Sequence, residues 1–97
     1  MKVRVTKRAE VQIDRAATWW DENRPLASEA FDEDLAEAFS LLSVEPGIGA
    51  PVASARIQGV RRLHLARIHY FLYYRIYRGE VQVLRIWHTS RGGNPDL

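Results

Sequence analysis

Ile68-His69-Tyr70-Phe71-Leu72-Tyr73-Tyr74-Arg75-Ile76-Tyr77, then Arg78-Gly79, then Glu80-Val81-Gln82-Val83-Leu84-Arg85-Ile86-Trp87-His88 is the stretch that decides the fold. Two runs rich in aromatic and branched side chains flank a two-residue link whose glycine tolerates positive φ, which is the pattern of a β-hairpin. A tight turn at Arg78-Gly79 sets Tyr77 opposite Glu80, and the same register carries back to His69 opposite His88. One face of the pair then holds Leu72, Tyr74, Ile76, Val81, Val83 and Trp87. The other holds Phe71, Tyr73, Arg75, Gln82, Leu84 and Ile86. Both faces are apolar near the middle.

Working outward, Val60 to Leu65 reads as a third strand, preceded by a loop-rich stretch over 46–59 that holds Pro46, Gly47, Gly49, Pro51 and Gly59. Earlier still the period changes to that of helices. Ala9, Ile13, Ala16, Ala17 and Trp20 fall on one stripe, with Glu10, Asp14, Arg15, Asp21 and Glu22 on the polar side. Thr6 is placed to cap this helix, and Glu10 favours the positive end of its dipole. Asn23-Arg24-Pro25 breaks the pattern, and Pro25 suits the first position of a second helix. Phe31, Leu35, Ala38 and Leu42 form the second stripe, with Asp32, Glu33 and Asp34 exposed near its front. Pro46-Gly47 ends it. Val3 and Val5 alternate with polar neighbours as a short opening strand.

The order is therefore β-α-α-β-β-β, an α+β fold with a helical hairpin packed on a mainly antiparallel sheet. Two helices cover one sheet face. The other face, or part of it, is expected to be an open groove lined by aromatics and rimmed by arginine; the alternative is a sheet that curls and buries both. Residues 90–95 read as a frayed tail.

At 97 residues the chain suits one domain spanning 1–97, with 46% hydrophobic and 27% charged residues, as in ordinary globular proteins. It has no cysteine, which excludes disulfides, thiolate catalysis and Cys-based zinc sites and suits a reducing cytoplasm. Neither a signal peptide nor a membrane-spanning run is visible, so a cytoplasmic location without membrane contact is expected. The charge is unevenly spread. Residues 1–50 carry six Lys and Arg against ten Asp and Glu, a balance of −4; residues 51–97 carry eight Arg against Glu80 and Asp96, a balance of +6. Arginine presents a planar fork suited to phosphate or carboxylate, so the basic half should meet an anionic partner.

Chemistry is harder to place. His69 and His88 face each other in the simple register, but no third ligand stands nearby and His64 lies outside the hairpin. A cross-strand aromatic pair explains them better than a metal, and no metal or cofactor is expected. The chain has no Walker loop, G-x-G-x-x-G, H-E-x-x-H or G-x-S-x-G. General acid, base and cation for RNA cleavage exist among the His, Tyr and Arg of the basic half, a weakly specific signal. Trp20 belongs in the core, and Trp19 at its border or in a partner interface.

Arg61-Arg62-Leu63-His64-Leu65, Leu72-Tyr73-Tyr74-Arg75 and Trp87-His88-Thr89-Ser90-Arg91-Gly92, with the early helix ending in Trp19-Trp20-Asp21-Glu22, resemble toxins of the RelE/ParE superfamily, on the ParE side. The resemblance covers nearly the whole chain. It implies the toxin of a type II toxin–antitoxin system, neutralised by a cognate ParD-like antitoxin that wraps around it as a hetero-oligomer, and DNA gyrase as the target. Toxins of the RelE branch are instead ribosome-dependent mRNA endonucleases and carry an arginine where this chain has Tyr70. That departure favours a poison acting by binding over an enzyme, and no catalytic residue is assigned. Were the chain a nuclease, Arg61, Arg62, His88 and Arg91 would be the candidates. For antitoxin or target binding the candidates are Arg61, Arg62, Arg67, Phe71, Tyr73, Arg75 and Trp19.

Overall fold

A computed structural model describes residues 1–54 and 56–97; Ala55, within the loop-rich stretch, lies outside the described residues. The elements are β1 (Val3–Val5), α1 (Lys7–Asn23), α2 (Ser28–Val44), β2 (Ala50–Pro51), β3 (Arg61–Leu65), β4 (Tyr70–Tyr77) and β5 (Glu80–His88), followed by a 3-10 turn over Thr89–Arg91. The sheet order is β1-β5-β4-β3-β2. All pairs are antiparallel except β1 with β5. The expected α+β arrangement is present, with the very short β2 added at the β3 edge.

Both helices follow their apolar stripes. Thr6 Oγ1 accepts from the Ala9 N–H at 3.3 Å and caps α1. Ala9, Ala16 and Trp20 of α1 and Phe31, Leu35, Ala38 and Leu42 of α2 are buried against Leu65, Ile68, Leu72, Tyr74, Val81, Val83 and Ile86. The Trp20 and Phe31 rings stack, 6.2 Å apart, at the centre of this layer. Pro25 does not open α2, contrary to the sequence reading. Arg24 caps α1 by returning its N–H to the Trp20 carbonyl, and the Ala27 N–H then bonds the Arg24 carbonyl. The chain spends Pro25 on this reversal, and α2 begins at Ser28.

Arg78 and Gly79 both take positive φ (51° and 76°), as a two-residue hairpin turn requires. The register beyond it departs from the simple one. Tyr77 faces Glu80 and Tyr74 faces Val83, but Tyr73 faces Arg85, which leaves Leu84 as the extra residue of a bulge. Every later pairing is displaced by one. His88 therefore faces Tyr70, not His69, and Ile86 and Trp87 exchange the faces expected of them. The displacement carries Ile86 into the helical layer, where it is buried. β1 reaches only Val81 to Val83, and beyond it the Ile86 N–H donates to Gln12 Oε1 of α1 at 3.0 Å.

Gly49 follows from a close approach. The Tyr74 hydroxyl accepts from its N–H at 2.8 Å, and a Cβ on Gly49 would lie 2.6 Å from that oxygen. No helix is long and apolar enough to cross a membrane, the described residues being those searched.

Candidate functional site

The bulge sets the composition of the sheet face turned away from the helices. Arg62 and His64 of β3, Phe71, Tyr73 and Arg75 of β4, and Gln82, Arg85 and Trp87 of β5 share it. The His64 and Phe71 rings lie 4.9 Å apart. The Arg62 guanidinium sits 4.0 Å over Phe71, and that of Arg75 sits 4.0 Å over Tyr77. Such stacking satisfies the flat faces of the guanidinium groups and leaves their N–H edges for an acceptor. Arg75 Nε also donates to Gln82 Oε1 at 2.6 Å.

Only part of this face is open. Its middle is covered by the C-terminal tail, which does not fray. The Tyr73 hydroxyl donates to Asn94 Oδ1 at 2.7 Å, and Arg62 Nη1 donates to the same oxygen at 3.3 Å. Arg85 Nε donates to the Asp96 carbonyl at 3.0 Å, and its Nη2 donates there too. Trp87 Nε1 donates to the Gly92 carbonyl. Pro95 is buried, and Tyr73 is fully enclosed. Arg85 is only 4% exposed, and burial, then the neighbouring charge of Arg8, hold its pKa below the usual arginine range while Asp96 works the other way. What remains accessible is a rim of Arg62, His64, Phe71, Arg75 and Trp87.

Other sequence candidates lie elsewhere. Arg61 Nη1 donates to the Gly49 carbonyl at 2.7 Å and pins the loop before β2. Arg67, in the β3–β4 turn, grips α2. Its Nε donates to both Asp34 carboxylate oxygens at 3.1 Å, and its Nη2 reaches Glu33 at 3.2 Å. These hydrogen bonds, Asp34 first, raise its pKa above the ordinary value. Among the described residues the salt bridges all belong to Arg67. The cations of Arg62, Arg75 and Arg91 thus have no carboxylate partner there. Trp19 is 47% exposed and meets Trp20 edge-on. His88 and Arg91 stand at the far end of β5, with Arg91 4.2 Å over the Trp87 ring. The His69 and His88 rings are 6.4 Å apart, and among the described residues no group of three or more acids and histidines gathers as a metal site.

Sequence reasoning missed Asn94, Asp96 and the burial of Arg85. The signal was a cation between Leu84 and Ile86 in mid-strand, since a buried charge demands a partner.

The family model of the ParE toxin of the type II toxin–antitoxin system parDE matches residues 3–92. The fold is similar to a solved structure of the chromosomal ParDE toxin–antitoxin system from P. aeruginosa. That chain is 26% identical, the match covers 91% of this chain and 95% of that one, and the TM-score is 0.74. No curated protein matches the sequence.

Proposed function

The chain belongs to the ParE toxin family of type II toxin–antitoxin systems, which implies an antitoxin partner, and we propose that it arrests growth in the cytoplasm by binding DNA gyrase rather than by cutting RNA. Tyr70 is the observation that carries this reading. By the resemblance, the nuclease branch has a cation at this position. The Tyr70 ring lies edge-on to Phe31 at 5.8 Å and to His88 at 5.1 Å, and burial raises the pKa of its hydroxyl. A neutral, packed phenol does not supply the positive charge that a developing phosphorane needs. Purified toxin incubated with gyrase and supercoiled plasmid is expected to accumulate gyrase-dependent double-strand breaks. Intact plasmid at every toxin ratio, with gyrase active, overturns the reading; toxin-dependent cuts in ribosome-bound message would replace it with the nuclease.

Neutralisation by a ParD-type antitoxin fits the sheet face turned away from the helices. The rim of Arg62, Phe71 and Arg75 offers unpaired cations beside apolar rings, a match for an acidic segment carrying apolar anchors. Replacing both Arg62 and Arg75 by Glu is expected to weaken antitoxin binding by about 2–5 kcal/mol where the antitoxin buries them as charge pairs, and by well under about 1 kcal/mol where they stay on the rim. Calorimetry that finds the affinity unchanged moves the contact to another surface.

A further inference from the structure

The helices do not cover the end of the β4–β5 hairpin. Tyr74 is fully enclosed, yet Ile76 is 46% and Tyr77 41% exposed only two and three residues later. This tip is also basic. Arg4 of β1, Gln82 of β5 and Arg75 of β4 stand in one row across three strands, and Arg78 follows in the turn. Among the described residues none of these three arginines has a carboxylate partner.

The cluster is held in place. Arg75 Nε donates to Gln82 Oε1 at 2.6 Å. The guanidinium groups of Arg75 and Arg78 lie over the Tyr77 ring, 4.0 and 5.2 Å from its centre. Stacking orients their planes and leaves their N–H edges for oxygen acceptors. The positive φ of Arg78, 51°, lets the turn itself set where that side chain leaves the backbone. Arg4, Tyr77, Arg78, Glu80 and Gln82 line a small pocket of about 150 Å³. Glu80 Oε2 is buried and, among the described residues, receives no hydrogen bond. A buried acceptor left without a donor costs free energy that an incoming donor recovers.

We propose that this hairpin tip is the surface by which the toxin grips its target protein, and that it takes an acidic segment with a hydrogen-bond donor beside its carboxylates. Arginine forks match carboxylates, and an exposed tyrosine beside arginines is the combination that dominates protein interfaces. A phosphodiester backbone supplies acceptors only, so it would leave Glu80 unpaired. That the gripped protein is gyrase rests on the reading above; the chemistry of the tip does not. The tip adjoins the antitoxin rim at Arg75, so Arg75 is left unchanged in the test.

The test is biolayer interferometry of the full chain against two immobilised probes, purified gyrase and a random copolymer of glutamate and tyrosine, across a range of salt. The wild type is expected to bind both, less tightly as salt rises. The double variant Arg4→Gln, Arg78→Asn should weaken both about tenfold or more, the loss expected of interface hot spots. Asparagine tolerates the positive φ at 78, so the turn is kept. Tyr77→Ala should cost as much, whereas Tyr77→Phe keeps the ring and should cost little. The charge-matched control is Arg15→Gln, Arg24→Gln, two exposed arginines on and just after α1, and should change little. Circular dichroism checks each fold. If Tyr77→Ala does not fold, the exposed pair Arg4 and Arg78 still decides the question. Equal losses in the tip and control variants overturn the proposal. So does absence of copolymer binding at low salt, or a preference of the tip for duplex DNA over the copolymer. Gyrase bound equally by all variants removes the tip and leaves the target standing. Gyrase not bound even by the wild type removes the target, and the copolymer then decides the tip alone.

Discussion

The two faces of the sheet are covered in different ways. On one, two helices lay down apolar stripes, and Phe31, Leu42, Leu72 and Val83 become fully enclosed by close packing. On the other, a few residues of tail are held by polar bonds from Tyr73, Arg62 and Arg85 to Asn94 and the Asp96 carbonyl. The first cover is wide and non-directional; the second is narrow and depends on individual donors. A layer of the first kind should lose stability gradually with lost volume, and one of the second kind should release when a single donor is removed.

The largest effect is expected on the helical side. Phe31→Ala removes a wholly buried ring that touches Trp20 and Tyr70. It should lower stability by about 3–5 kcal/mol in urea denaturation. A loss below about 1 kcal/mol would mean that the helical layer collapses into the space, and the contrast would fail. Next comes Arg85→Met, which keeps a long side chain but removes the donors to the Asp96 carbonyl. It should lower stability by about 1.5–3 kcal/mol, the range for hydrogen bonds to charged groups. Hydrogen exchange should rise in residues 93–97 while α1 and α2 stay protected. Unchanged exchange in the tail would show that Asn94 and the buried Pro95 hold it alone.

A smaller effect concerns pH. Burial raises the Tyr70 pKa above its ordinary 10.0, so the folded chain holds that proton more tightly than the unfolded one. Its contribution is whole below the ordinary value and declines as pH rises from there through the raised folded value. Tyr70→Phe should flatten this part of the alkaline stability curve, as followed by denaturation midpoints. An identical alkaline decline in the variant assigns the loss to other groups. The smallest change is expected for Arg67→Ala. Arg67 and Glu33 are more than half exposed and only Asp34 is largely covered, so the bridge is mostly solvated and the denaturation midpoint should stay within error.

What was legible in the sequence follows the same division. The stripes Ala9–Ala16–Trp20 and Phe31–Leu35–Ala38–Leu42 were readable because burial imposes a period on residue type. The hairpin was readable because its turn demands positive φ at Gly79. The bulge at Leu84 was not, since one extra residue alters no composition, and it exchanged the faces of Ile86 and Trp87. Nor was the tail cover, whose bonds join Tyr73 and Arg62 to an asparagine far along the chain. Of the candidate residues, Arg62, Phe71, Tyr73 and Arg75 do share a face, whereas Arg67 is spent on α2 and Arg61 on the loop at Gly49.

The claim that most needs testing is that this toxin acts on DNA metabolism by binding. The direct measurement is pulse labelling of new DNA and new protein in the first minutes after induction from a tightly repressed promoter. The account predicts that DNA synthesis falls first while translation continues. Translation falling first, with DNA synthesis intact, would contradict it.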